Sequence, residues 1–214
     1  MTVRLPAAGA AAIAAAVALA LEGAAEPVQL FDGTLSGWSV ENAPGGNIST
    51  RDGVLRVEEP AGWLRSSETY GDFALRIEFR FVTDDADSGI FVRATAEQTF
   101  GRGWPSGSYQ VQLRNPVGES RFPPVGGIFR HGMPAGEAEF DPAAAAALSA
   151  GTGEWQVLEI EVLGDRLDVR LNGAHLTRAS GIENPRGYVG IQAETGAVEF
   201  RSIAIEPRGS EGDR

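Results

Sequence analysis

Between Phe73 and Phe81 the chain alternates without interruption. Phe73, Leu75, Ile77, Phe79 and Phe81 share one phase, while Asp72, Ala74, Arg76, Glu78 and Arg80 share the other. Side chains on a strand point to opposite faces with period two, so this segment is a long strand with one buried face. Five large apolar residues on that face require an apolar partner of similar length. Asp84, Asp85, Asp87 and Gly89 supply turn chemistry, and Ile90 to Ala94 reads as a second strand. The period and the β-branched and aromatic content disfavour a helix. The stretch is expected to form a strand pair at the centre of an antiparallel β-sandwich.

The rest of the chain agrees with an all-β fold. Asp52-Gly53 and Asn172-Gly173 sit between alternating runs and read as hairpin turns. Ser108 to Leu113, Trp155 to Leu163, Asp165 to Leu171, Gly187 to Ala193 and Ala197 to Ile205 are further strands. In the last of these the apolar phase changes between Phe200 and Ile203, which predicts a bulge near Arg201-Ser202. Asp141 followed by Pro142 and a run of alanines predicts one short helix, with Gly151 as its stop. About twelve short strands with no βαβ unit make an antiparallel β-sandwich or jelly roll.

Residues 1–25 carry one positive charge, Arg4, then a small-apolar run and small residues at Gly23, Ala24 and Ala25. This is the layout of a secretory signal peptide, so a periplasmic or extracellular location is expected, without membrane insertion after cleavage. Residues 26–207 form one expected domain, and residues 208–214 an expected disordered tail. The chain has no cysteine, so it is expected to be neither lipid-anchored through a lipobox nor disulfide-stapled. A net charge of −11 without Lys/Arg clusters argues against nucleic acid and anionic membranes as partners.

Phase also marks a candidate site. Arg93, Gln110, Gln112, Gln192 and Glu194 all lie opposite the aliphatic residues of their strands, so neighbouring strands would join them into one polar stripe. Amides and a guanidinium there suit a ligand rich in hydroxyls; a merely solvated sheet face produces the same pattern. Trp104 lies in a Gly-rich loop with Phe100, either as a stacking platform or as a plug beneath the loop. His131 follows the Phe129-Arg130 strand and is a candidate acid or base; His175 reads as structural, and Trp38, Trp63 and Trp155 as core. No His/Cys cluster has metal spacing, and no cofactor is expected. Calcium on Asp84, Asp85 and Asp87 competes with a solvated acidic loop.

Seven segments in order carry a resemblance: LFDGTLSGW (30–38), SGIFVR (88–93), YQVQL (109–113), GGIF (126–129), GEWQ (153–156), LNG (171–173) and GYVGIQ…VEFRSIAI (187–205). Together they resemble the 3-keto-disaccharide hydrolases, whose domains are concanavalin A-like sandwiches. The resemblance implies cleavage of glycosides bearing a C3 ketone, by C2 deprotonation, elimination and hydration. It implies Arg93 on an enolate or hydroxyl, Gln110, Gln112, Gln192, Trp104 and Asp87 on substrate, and Glu194 or His131 in proton transfer. Family members commonly have Asn at the position of Asp87, Glu at Gln110 and an Asp-His pair at Ala193-Glu194; Glu194 and Asp87 are the candidate replacements. A lectin-like module that binds a carbohydrate without cleaving it is the alternative on the same fold.

Overall fold

A computed structural model describes residues 26–43, 47–97, 103–134 and 136–209. The expected signal peptide, Phe100 and residues 210–214 of the expected tail lie outside the described residues. Fifteen strands and one helix follow in chain order: β1 Val28–Phe31, β2 Trp38–Glu41, β3 Ile48–Arg51, β4 Val54–Glu58, β5 Gly62–Tyr70, β6 Phe73–Phe81, β7 Asp87–Ala94, β8 Ser108–Arg114, β9 Ile128–His131, β10 Ala138–Phe140, α1 Pro142–Leu148, β11 Gln156–Leu163, β12 Arg166–Leu171, β13 Ala174–Ala179, β14 Gly187–Thr195 and β15 Ala197–Pro207.

They form two antiparallel sheets. One runs β10-β13-β12-β11-β6-β15-β4-β3, with β1 paired to β15; the other runs β2-β5-β14-β7-β8-β9. The apolar face of β6 is fully buried, and each such side chain is worth roughly 1.5–3 kcal/mol of transfer free energy. Opposite it stand Leu64, Ile90, Val92, Val111, Leu113, Val189 and Ile191 from the smaller sheet, all in the same core cluster.

The expected pairing of β6 with β7 is therefore corrected. The two strands lie in different sheets and face each other across the core, because the 82–86 connection crosses over rather than folding back. β14 and β15 part in the same way, through Gly196 alone, at φ +59. A Cβ there would stand 2.2 Å from Thr83 Oγ1, so the close packing of the two crossovers requires glycine. Val82 N donates to Ala197 O (2.9 Å) and Ala197 N to Thr83 Oγ1 (3.1 Å), tying them together.

The predicted bulge is present: the β15–β6 register shifts between Phe200 and Ser202. Helix α1 starts where expected, Asp141 accepting from the backbone N–H of Ala143 and Ala144, but it ends at Leu148 with Ser149 as its cap. Trp155 departs from expectation. Its odd position puts it on the outward phase of β11, where it is stacked between the guanidinia of Arg80 (4.6 Å) and Arg201 (4.7 Å). At the C-terminal end Arg208 N donates to Asp72 O (2.8 Å), so Arg208, expected in the tail, is tied to the sandwich. Among the described residues no helix is long and apolar enough to cross a membrane.

Candidate functional site

Trp63, Phe91 and Ala94 of the smaller sheet point away from the core and build a second apolar cluster with Trp104 of the 103–107 loop. Beside it lies a pocket of about 270 Å3 lined by Asp87, Trp104, Gln110, Gln112, Phe122, Phe129, Arg130, His131, Gln192 and Glu194. Seven of the eight residues singled out in the sequence thus converge, from β7, β8, β9, β14 and the 103–107 loop. The phase argument holds for the three glutamines because β14, β7 and β8 are consecutive in the sheet.

Those glutamines are 1–3% exposed and are bonded to one another. Gln110 Nε2 donates to Gln112 Oε1 (2.6 Å) and to Gln192 Oε1 (3.0 Å), and Gln112 Nε2 donates to Asp87 Oδ1 (2.6 Å). Gln110 Oε1 stands 2.6 Å from His131 Nε2. An amide oxygen only accepts, so His131 must donate from Nε2, which fixes its tautomer. Every donor in the row His131–Gln110–Gln112 points towards the Asp87 carboxylate, which sets the polarity of the array. Gln192 commits its oxygen to Gln110, while its amide nitrogen makes no hydrogen bond among the described residues; it is left to the pocket. The indole N–H of Trp104 is likewise buried and unpartnered among the described residues.

Burial acts on the two titratable ends in opposite senses. Desolvation raises Asp87 from 3.8 to about 6, opposed by the charge of Arg114 and the bond from Gln112. Desolvation lowers His131 from 6.5 to about 4. At neutral pH the histidine is neutral and acts as a fixed donor, packed edge-on to Phe91 (5.6 Å) and stacked on Phe129 (6.2 Å). This corrects its expected role as an acid or base near neutrality. Asp87, expected to bind substrate, is instead the carboxylate poised near physiological pH.

Glu194 lines the same wall. The β14–β7 register shifts between Ala193 and Thr195, so Glu194 is an extra residue in β14, bulged out beside Ser88 and Asp87. Trp104 is 8% exposed and packs in the Trp63–Phe91 cluster, so it is a plug whose edge reaches the pocket rather than an open stacking platform.

Arg93 is the residue that the structure removes from the site. The β14–β7 register also shifts between Tyr188 and Gly190, and Arg93 has φ +46, so phase is lost after Val92. The side chain, 1% exposed, donates from Nε to Gly71 O (2.9 Å), from one terminal nitrogen to Gly164 O (2.6 Å) and Asn184 O (2.9 Å), and from the other to Asp72 Oδ1 (2.7 Å). It joins turns at one end of the sandwich and holds no enolate.

The turn aspartates also diverge. Asp84 accepts from Thr152 Oγ1 (2.6 Å) while Asp87 faces the pocket. No three His, Asp or Glu groups converge as a metal cage among the described residues.

The sequence reading missed Phe122, Phe129 and Arg130, which line the pocket, and Gly89, across which the Gln110 side chain lies. A Cβ on Gly89 would stand 2.2 Å from Gln110 Nε2 and 2.5 Å from its Cδ. The Gln110 side chain therefore lies flat across β7 only because position 89 has no side chain. Gly89→Ala should dislodge it, at about 1–3 kcal/mol of stability and about a hundredfold in turnover or ligand affinity. Unchanged affinity with a normal melting curve would show that the array is dispensable.

The comparisons with known proteins agree with this architecture. A candidate glycosyl hydrolase from Parabacteroides distasonis ATCC 8503 superposes with a TM-score of 0.63 at 19% identity, covering 86% of this chain and all of that one. A protein of unknown function with a galectin-like fold from Bacillus subtilis gives 0.58 at 14%, covering 85% and 96%. The exoplasmic/lumenal domain of VIP36, in its calcium- and mannose-bound form, gives 0.58 at 13%, covering 88% and 92%. At these identities the likeness concerns the fold. No curated protein matches the chain. The model of the 3-keto-alpha-glucoside-1,2-lyase-like domain matches residues 26–206, nearly all of the sandwich, and the chain belongs to that family.

Proposed function

We propose that the pocket takes the glycone of a 3-keto-glycoside and cleaves the glycosidic bond by elimination and hydration, periplasmically or outside the cell. A C3 ketone acidifies the C2 proton, so the reaction needs a base near its working pH and a donor for the oxygen that gathers charge. The observation that carries the reading is the meeting of both in one small pocket: Asp87, raised to about 6, beside the uncommitted amide nitrogen of Gln192.

In this reading Asp87 takes the proton from C2, and the electron pair passes to the C3 oxygen, held by the amide nitrogen of Gln192. The enolate collapses to expel the C1 substituent, which receives a proton from Glu194. Water then adds at C1, giving a proton to the Glu194 carboxylate, and Asp87 returns its proton to C2. Gln110, Gln112 and His131 hold the geometry and carry no proton.

The test is release of aglycone from 3-keto-trehalose and a simple 3-keto-glucoside, with the unoxidised sugars as controls. Release from the keto forms alone is expected. The competing reading, a lectin-like module, is favoured by Gln110, an amide where the family commonly has a carboxylate. Saturable binding without release would decide for it.

A further inference from the structure

We propose that a second recess, adjoining the pocket at Phe122, is a binding site for the aglycone and is built for a phenolic ring system rather than a second sugar. An open groove of about 830 Å3 runs between the 114–124 loop and the start of α1. Phe122 lines both this groove and the pocket, so the two recesses adjoin at its ring.

The walls decide the chemistry. Pro116, Pro123, Phe140 and Pro142 present flat apolar surfaces. Phe122, 43% exposed, carries the Arg121 guanidinium 4.7 Å over its ring, a platform that suits an aromatic plane and a phenolic oxygen. Of the polar side chains there, Arg114 is spent largely on the loop itself, while the Glu119 carboxylate is placed to accept the single O–H of a phenol. Arg114 donates from Nε to Pro123 O and from a terminal nitrogen to Asn115 O (both 3.2 Å), and Ser120 Oγ accepts from Phe122 N (3.1 Å). The loop is also fixed in advance: Val125 N donates to Arg114 O (3.0 Å) and Gly127 N to Pro124 O (3.1 Å).

That the phenol is an aglycone rests on the reading of the pocket above; the phenol site does not. The test is calorimetric titration of the protein with 4-methylumbelliferone, and in parallel with glucose and cellobiose. Saturable binding of the phenol is expected, weakened about tenfold or more by Phe122→Ala and by a smaller factor by Arg121→Ala. Leu163→Ala, an exposed apolar side chain elsewhere, and Gln192→Leu in the pocket should leave it within about twofold. The inference is overturned if no saturable binding occurs, if Phe122→Ala does not weaken it, or if Gln192→Leu abolishes it. It is equally overturned if cellobiose binds in a Phe122-dependent manner and the phenol does not. Failure to cleave keto-glycosides would strike the reading of the pocket and leave this binding result standing.

Discussion

Asp87→Asn should abolish turnover of a 3-keto-glucoside and at the same time make the protein more stable at pH 7. The loss follows from removing the base, and general-base contributions run to roughly 10²–10⁴-fold. The gain follows from linkage. The folded-state pKa is raised from 3.8 to about 6, so the fold favours the protonated carboxyl, and its advantage is complete below the unfolded pKa and gone as pH rises past about 6. At neutrality the ionised group therefore costs the fold on the order of 2–3 kcal/mol, since a tenfold change in proton affinity is worth ~1.36 kcal/mol. An asparagine oxygen can still accept from Gln112 Nε2, so the array survives while the buried charge goes. The melting temperature should rise by several degrees, a scale of roughly 2–4 °C per kcal/mol at this size. Wild-type kcat/KM should climb through pH 6 as the base deprotonates. A variant that keeps its activity, or a rate flat between pH 5 and 7, would remove Asp87 from the mechanism.

The same substitution should expose an acid lability that the wild type conceals. His131 is buried neutral, with its pKa depressed to about 4, so the unfolded chain takes up a proton near 6.5 that the fold refuses. Stability is lost as pH falls from 6.5 towards 4. Asp87 takes up a proton on folding over nearly the same window, and the two contributions oppose each other. In Asp87→Asn only the histidine remains, and denaturation midpoints should fall steadily between pH 6.5 and 4 where those of the wild type stay nearly level.

How much of this was legible in the sequence depends on the length over which phase persists. β6 alternates for nine residues, and its buried face followed directly. The bulge at Arg201-Ser202 was legible for the same reason, since apolar residues flank the slip on both sides. The glutamines on β8 and β14 lie within unbroken alternation and were correctly placed on one face. Arg93 lies at a bulge that nothing apolar marked, so counting by twos carried it to the wrong face. The separation of β6 from β7 was hidden because a five-residue turn-rich connection is compatible with both a hairpin and a crossover. The protonation states of Asp87 and His131 depend on enclosure by distant segments, for His131 the rings of Phe91 and Trp104, and local sequence holds no record of that enclosure.

The mislaid arginine gives the second large effect. Arg93→Met should destabilise the protein severely while leaving turnover per folded molecule unchanged. Methionine keeps much of the stem's bulk, but three carbonyls, on Gly71, Gly164 and Asn184, lose a charged donor, and Asp72 loses its ion pair. Removing one partner of a buried pair typically costs about 3–5 kcal/mol, because the remaining charge stays in a poorly solvated place. Asp72 is only partly relieved: Oδ1 still accepts from Gly164 N (2.9 Å), and its side chain is 23% exposed. The left-handed backbone at position 93 adds to the loss, since those bonds hold a conformation that costs roughly 1–3 kcal/mol by itself. A drop of about ten degrees or more in melting temperature is expected. The decisive measurement is kcat/KM, corrected for the folded fraction, beside the melt. Arg93 as an enolate anchor would give the opposite outcome, a near-normal melt with turnover lost, because an anchor on the pocket would carry little of the fold and much of the transition-state charge.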